Sequence, residues 1–349
     1  MKLYKMSALR PGMVVGQDVT DPSGNIILNK FSKLSIDNIS YLSFLGIPSV
    51  YIDDSFSEAT AMDEILTPEI RQCAVRTVRD FFRKAEGLPI PETEERLERT
   101  VSLVVEEVLN NKDVAHNLAE VRTYDEYTYT HSVNVGVLAG VIGGKCGVGV
   151  DMMRELVMAG FLHDVGKVFV DLGIIHAPRR LTEEERVQMM AHPRLGYEYL
   201  TQNYHFSETV NRAVFEHHEW YNGYGYPNSK AGENLLPHSR ILKAADVYDA
   251  MTSTRPYHPA YLPSEVLEYI MGRSGMEFDP RIVDVMAKTF CVYPVGAEIE
   301  LSDGRHGIVI ENHAGYVMRP TVKTLSNGTV IDLKADRTAR SLTIVKLMM

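Results

Sequence analysis

The chain has 349 residues, 45% hydrophobic and 23% charged, which supports a sizeable core and more than one domain. Acidic residues number 46 and basic residues 36, and a net charge of −10 argues against DNA or RNA as partner, since broad binding to nucleic acid needs a basic surface. An anionic substrate would need local lysine, arginine or metal to overcome that field. Three cysteines, Cys73, Cys146 and Cys291, have no CxxC spacing and read as reduced core thiols. The opening "MKLYKMSALRPGM" has no apolar segment of the signal-peptide kind. The longest apolar run, "SVNVGVLAGVIGG" at 132–144, is too short and glycine-rich to span a bilayer. These features predict a cytoplasmic protein with no membrane association.

Residues 1–58 read as a small α+β module. "GMVVGQDVTDPSGNIILNK" is strand, turn, strand, with the turn at Pro22-Ser23-Gly24-Asn25. "SKLSIDNISYLSFLG" predicts a short helix with Ser35 as N-cap and Gly46 as its stop, and "SVYI" returns as a strand. Residues 59–115 read as a helical linker or packing layer. One helix opens on a threonine cap with proline in its first turn and closes at Gly87. The next has apolar residues at 97, 101, 104, 105 and 108, which is helical spacing. Residues 116–290 are mainly helical and carry nearly all the unusual chemistry. Within them, Thr182 followed by Glu183-Glu184-Glu185 reads as a capped helix start. Residues 291–349 turn β again, with hairpins around Ser302-Asp303-Gly304 and Asn327-Gly328 and a last strand in "SLTIVKL". Short strands with such turns predict a small barrel or sandwich.

The stretch "FLHDVGK" at 161–167 sets His163, Asp164 and Lys167 in an otherwise apolar run. Buried charge is costly unless it is paired or bound to metal. His131, His192, His217, His218 and Asp246 lie on other predicted helices, and a bundle builds a metal site from such inward-facing residues. Imidazoles and carboxylates without thiolate suit iron, manganese, zinc or similar divalent ions. Seven candidates are too many for one four-coordinate ion and suit two ions with open positions. Asp164 can offer one oxygen to each. Two ions roughly 3.5–4 Å apart form the usual clamp for phosphoester hydrolysis, with a hydroxide between them as nucleophile. On a helix Lys167 shares the face of Asp164, where its ammonium can meet a phosphate. His116, His176, His205 and His238 have no motif context and read as surface or capping residues, and His306 and His313 read as solvent-facing.

Five stretches together resemble the HD-GYP family: "HDVGK" (163–167), "AHPRLG" (191–196), "HHEWYNGYGYP" (217–227), "ILKAADVYDAMTSTRPY" (241–257) and "GMEFDP" (275–280). The resemblance covers roughly residues 120–290, about half the chain. It implies a mainly α protein, with a helical HD bundle flanked by the α+β and β modules. It implies metal-dependent hydrolysis of cyclic di-GMP to pGpG or GMP. The implied metal ligands are His131, His163, Asp164, His192, His217, His218 and Asp246, with Asp164 and Lys167 catalytic. Lys167, Arg255 and His258 would contact substrate, and arginine suits phosphate because its fork matches the oxygens. Asp249 would orient a histidine through its other ring nitrogen. The loop Gly223, Gly225, Tyr226 and Pro227 would serve substrate access or partner proteins such as diguanylate cyclases. The terminal modules are a second place for signalling partners, and a homodimer through helices 67–112 stays open. Iron or manganese leads as the metal, ahead of zinc, nickel or magnesium.

Three departures from the family pattern bear on this reading. Asn222 replaces an aspartate before the first loop glycine, His258 replaces a basic residue, and Tyr127 stands where a glutamate would support a third metal. Two metals are therefore expected rather than three. The competing functions are hydrolysis of another cyclic dinucleotide such as cyclic GMP-AMP, a cyclic di-GMP receptor without turnover, and a scaffold acting through its terminal modules.

Overall fold

A computed structural model describes residues 2–16, 18–20, 26–45, 47, 49–53, 65–88, 90, 92–110, 127–175, 177, 179–253, 261–290, 292, 293, 295–313 and 315–348. At the N-terminus, β1 (Lys2–Lys5) pairs antiparallel with β4 (Ser49–Ile52), and β2 (Val19–Thr20) with β3 (Ile26–Leu28). The β2–β3 turn foreseen at Pro22–Asn25 lies outside the described residues, as does Gly46. Between β3 and β4 runs α1 (Ile36–Phe44). The Ser35 hydroxyl accepts from Asn38 N–H and the Asn38 side chain accepts from Ser35 N–H, satisfying two donors at the helix start. Val15, Leu34, Leu42, Val50 and Ile52 form the core of this module, and no residue beyond 52 joins it among the described ones.

Next come α2 (Pro68–Ala85), capped by Thr67, and α3 (Thr93–Asn110), which pack on each other. Leu97, Val101, Val104, Val105 and Val108 form the buried stripe of α3, as the spacing predicts. The apolar run 132–144 lies inside α4 (Tyr127–Lys145), whose residues 133–142 are buried throughout. It is a core helix pressed against α5 (Val150–Leu162). The two touch at glycine: a Cβ on Gly160 would sit 2.3 Å from Gly136 Cα.

The chain continues through α6 (Leu172–Ile175), α7 (Glu183–Met189), α8 (His192–Asn203), α9 (Glu208–Glu216) and α10 (Pro237–Thr252). α7 begins at the expected cap, with Thr182 and Glu185 bonded reciprocally. α10 packs against α4, α5 and α9, and α11 (Pro263–Gly272) and α12 (Pro280–Thr289) complete the bundle. Among the described residues no helix is long and apolar enough to cross a membrane.

The last part is one antiparallel sheet in the order β8-β7-β6-β5-β9: β5 (Glu298–Leu301), β6 (His306–Glu311), β7 (Thr321–Thr324), β8 (Val330–Asp332) and β9 (Ile344–Met348). It is an open sheet with β8 and β9 at its edges. Its buried Ile299, Val309, Val322, Ile331 and Leu347 belong to the same apolar core as the helices. Tyr51 Oη donates to Val295 O at 3.2 Å and links the N-terminal module to this end.

Three sequence expectations need correction. Cys73 and Cys146 are exposed rather than core thiols, because one sits in the open groove between α2 and α3, its Sγ 4.0 Å from Thr100 Oγ1, and the other follows α4; Cys291 lies outside the described residues. His238 is buried, not a surface residue, and its Nε2 lies 3.1 Å from Glu155 Oε2. His313 is half-buried, with Nε2 at 3.2 Å from Asp332 and 3.0 Å from Thr321 Oγ1. His205 and His306 are exposed as expected, and His116 and His176 lie outside the described residues.

Candidate metal centre

Five helices deliver the site. His131 projects from α4; His163 and Asp164 follow the last turn of α5; His192 opens α8; His217 and His218 follow α9; Asp246 sits in α10. A helix that stops just before its functional residue points that side chain into the space between helices, and α5 and α9 both do so. Gly166, two residues after Asp164, allows the close approach. A Cβ there would lie 1.9 Å from His192 O and 2.5 Å from Gly196 N, so only glycine fits beside α8.

The residues form two groups, His131–His163–Asp164 and His192–His217–His218, whose ligand atoms within each group lie inside 4.8 Å of one another. Asp246 joins the first, with Oδ1 at 3.2 Å from His131 Nε2 and 3.9 Å from His163 Nε2. Asp164 faces both groups. Its Oδ2 lies 3.3 Å from His163 Nε2, while its Oδ1 lies 3.4 Å from His192 Nε2. All seven of these residues therefore meet in one buried space.

The hydrogen bonds fix the ring tautomers. Nδ1 of His163 lies 2.8 Å from Gly160 O, that of His192 2.8 Å from Met189 O, and that of His217 2.6 Å from Val214 O. A carbonyl only accepts, so each Nδ1 carries a proton and Nε2 is the nitrogen turned to the centre. The Nε2 atoms converge: those of His192 and His217 are 3.2 Å apart. His163 Nε2 is buried without a hydrogen-bond partner among the described residues. Burial lowers the His192 pKa to about 4 and holds His217 and His218 well below the usual histidine range, so these rings stay neutral. Burial also opposes charge on Asp164 and Asp246. The histidines around them, with Lys167 beside Asp164, outweigh it and hold both carboxyls ionised, well below their ordinary pKa. Neutral imidazole lone pairs aimed at one another beside buried carboxylates are the donor set of a divalent cation. The residues fit a metal.

Asp249, one turn after Asp246, lies with Oδ2 at 2.6 Å from His131 Nδ1. Burial works against charge on His131, but hydrogen bonds to Asp246 and Asp249 prevail and raise its pKa to about 9. Asp249→Ala removes the bond at Nδ1. We expect divalent-metal affinity to fall by about 10–100-fold, read by chelator competition. Unchanged affinity would assign Asp249 to packing alone.

Lys167 stands at the mouth, its side chain 30% exposed and Nζ 2.6 Å from Asp164 Oδ2. Arg255 and His258 lie outside the described residues, as do Asp125 and Glu126 beside Tyr127. In the glycine loop, Gly223 takes φ +85°, and Asn222 Oδ1 accepts from Tyr224 N–H at 3.2 Å. An aspartate oxygen would accept in the same way, so this departure preserves the turn. Tyr224 is 82% exposed at the tip, whereas Tyr226 folds inward.

Charged residues around the histidine pair were not foreseen. Glu216 is buried and accepts from Lys230 Nζ (2.6 Å), Ser239 Oγ (2.8 Å) and Arg212 (3.0 Å). Glu219 accepts the backbone N–H of Asn228 (2.6 Å) and of Lys230 (3.1 Å). Glu277 pairs with Lys243 of α10 at 2.9 Å and accepts from Tyr269 Oη at 2.9 Å. The signal was the "EHHE" run at 216–219, whose acids bracket the pair.

Residues 104–282 match the family model described as HD domain. A cyclic di-GMP phosphodiesterase of Pseudomonas aeruginosa, PA4108, is 35% identical over 216 residues, covering 62% of this chain and 52% of that protein. The response regulator RpfG of Xanthomonas campestris, also named a cyclic di-GMP phosphodiesterase, is 37% identical over 152 residues, covering 43% of this chain and 40% of its own length. The chain thus spans about half the length, or less, of these curated relatives. A solved structure of Bd1817, a HDG"Y"P protein from Bdellovibrio bacteriovorus, aligns over 81% of this chain and 97% of its own, with TM-score 0.53 and 16% identity, a likeness of fold. With a family model matched over half its length and the HD-GYP motifs gathered around one buried centre, this chain belongs to the HD domain family, among its HD-GYP members.

Proposed function

We propose that the protein is a metal-dependent phosphodiesterase that hydrolyses cyclic di-GMP, giving pGpG or GMP. The observation that carries this reading is the meeting of two imidazole-rich groups on the two oxygens of Asp164. His131, His163, Asp164 and Asp246 would hold one divalent ion; His192, His217, His218 and Asp164 would hold another. Iron or manganese suits these nitrogen and oxygen donors. Bound ions would polarise the phosphoryl oxygens and acidify a water at neutral pH.

The chain's own residues supply the rest. The carbonyls of Gly160, Met189 and Val214 and the carboxylate of Asp249 hold a proton on Nδ1 of His163, His192, His217 and His131, which keeps those four Nε2 atoms turned inward. Lys167 is partly exposed and would exchange its contact with Asp164 for a substrate phosphate. Arg255 would contact substrate phosphate. Relatives named cyclic di-GMP phosphodiesterases support this substrate, and a 28% identical relative in Vibrio cholerae is named a 3'3'-cGAMP-specific phosphodiesterase.

The test is metal analysis of protein purified without oxygen, followed by chromatography of cyclic di-GMP and cyclic GMP-AMP incubated together. About two metals per chain and faster loss of cyclic di-GMP are expected. Preference for cyclic GMP-AMP would move the protein to the other substrate. Metal without turnover of either, even after iron or manganese is added, would leave a receptor.

A further inference from the structure

His131, His163, His192 and His217 are each oriented by a hydrogen bond at Nδ1. His218 is the exception. Among the described residues it has no hydrogen bond to its ring. What faces it is aromatic: the Tyr226 ring stacks on it, with centroids 4.8 Å apart and planes at 21°. On its other contacts are His217, at 4.1 Å between centroids and 43°, and His192, at 5.0 Å and 86°.

The loop that brings Tyr226 there is tightly held. A Cβ on Gly225 would sit 2.2 Å from Trp220 N, 2.5 Å from Glu219 Cα and 2.5 Å from His218 O, so this glycine lies directly on the backbone beside the histidine pair. Tyr226 N–H donates to His218 O at 3.3 Å. Glu219 and Glu216, which flank the pair, bind the far side of the loop through Asn228 and Lys230. At the near side, Tyr221 N–H donates to Glu277 O (3.1 Å) and Asn222 N–H to Met276 O (2.8 Å). The "GMEFDP" segment therefore backs the loop, and the loop backs His218.

We propose that Tyr226 is a positioning residue: its ring fixes the plane of His218 and thereby sets metal affinity at the His192–His217–His218 group. The inference rests on the two-metal reading above. A ring held by a stacked face is free to rotate when the face is removed, whereas its three neighbours keep their carbonyl or carboxylate partners. The effect should therefore fall on one metal equivalent. The stacking surface is the working part, so the phenol oxygen is dispensable.

The experiment titrates manganese(II) alone into wild type, Tyr226→Phe, Tyr226→Leu and Tyr226→Met, against a competing chelator, with thermal unfolding followed by circular dichroism. Wild type and Y226F should bind two equivalents alike. Y226L and Y226M should keep one equivalent as in wild type and bind the other about 10-fold or more weakly, the usual cost of losing a residue that orients a ligand. Folded Leu and Met variants that bind both equivalents as wild type does would overturn the proposal. So would an equal loss in Y226F, which would assign the effect to the hydroxyl. Loss of the unfolding transition in both Y226L and Y226M would make Tyr226 a fold residue instead. Fewer than two equivalents in wild type would overturn the two-metal reading itself, a failure visible before any variant is compared.

Discussion

Asp164→Ala is expected to remove the proposed cyclic di-GMP hydrolysis while leaving the helical signal in place. Asp164 is 2% exposed, and its two oxygens face the two histidine groups. Removing it takes a donor from both proposed ion sites, so turnover should fall by more than the roughly 10–100-fold usual for a residue that only orients a ligand. Lys167 also loses the oxygen that holds it at 2.6 Å. Asp164→Asn keeps the shape and loses the charge, and should be nearly as inactive. Both are read by steady-state turnover and by metal content. Wild-type turnover in either variant would remove Asp164 from the chemistry and with it the two-metal reading.

The largest stability effect is expected at Gly166→Ala. The new methyl would fall 1.9 Å from His192 O and 2.5 Å from Gly196 N. Both are backbone atoms, so no side chain can rotate away. α8 must move off the turn that follows Asp164, at a cost of at least about 3 kcal/mol. That movement takes His192 from its place opposite Asp164, so metal affinity should fall together with the denaturation midpoint. Gly272→Ala is the control. Nothing lies within 4 Å of a Cβ there and the position ends α11, so the same change should be neutral or stabilise by up to about 1 kcal/mol. A G166A protein as stable as wild type would show that α8 and the Asp164 turn are less tightly packed than described.

Much of this fold was legible because it is written in local chemistry. The caps at Ser35, Thr67 and Thr182 each start a helix by satisfying exposed N–H groups. The apolar positions of α3 followed from helical period alone. β1 was missed because "KLYK" acquires strand geometry only by pairing with β4, more than forty residues away, and no local pattern announces that. The exposure of Cys73 was missed for a related reason: a thiol is apolar enough to look like core, and which face of α2 meets its neighbours is a tertiary matter. The seven histidines and aspartates stood out because costly side chains in apolar runs need a reason. Glu216, Glu219, Glu277 and Lys243 did not, because acids and lysines near loops look like solvated surface. The "EHHE" run hints at the first two, but the packed helices are what show these groups buried and hydrogen-bonded or paired.

The reach of the bond between His131 and Asp249 has a kinetic side. The two residues are 118 apart in sequence, and α4 and α10 must be side by side before it can form. Closing so long a loop is entropically slow compared with forming any single helix. A chain emerging from synthesis can thus form α4, α5 and the turn bearing Asp164, and with them the His131–His163–Asp164 group, before α10 supplies Asp246 and the Asp249 that orients His131. The full set of seven is complete only when α10 docks.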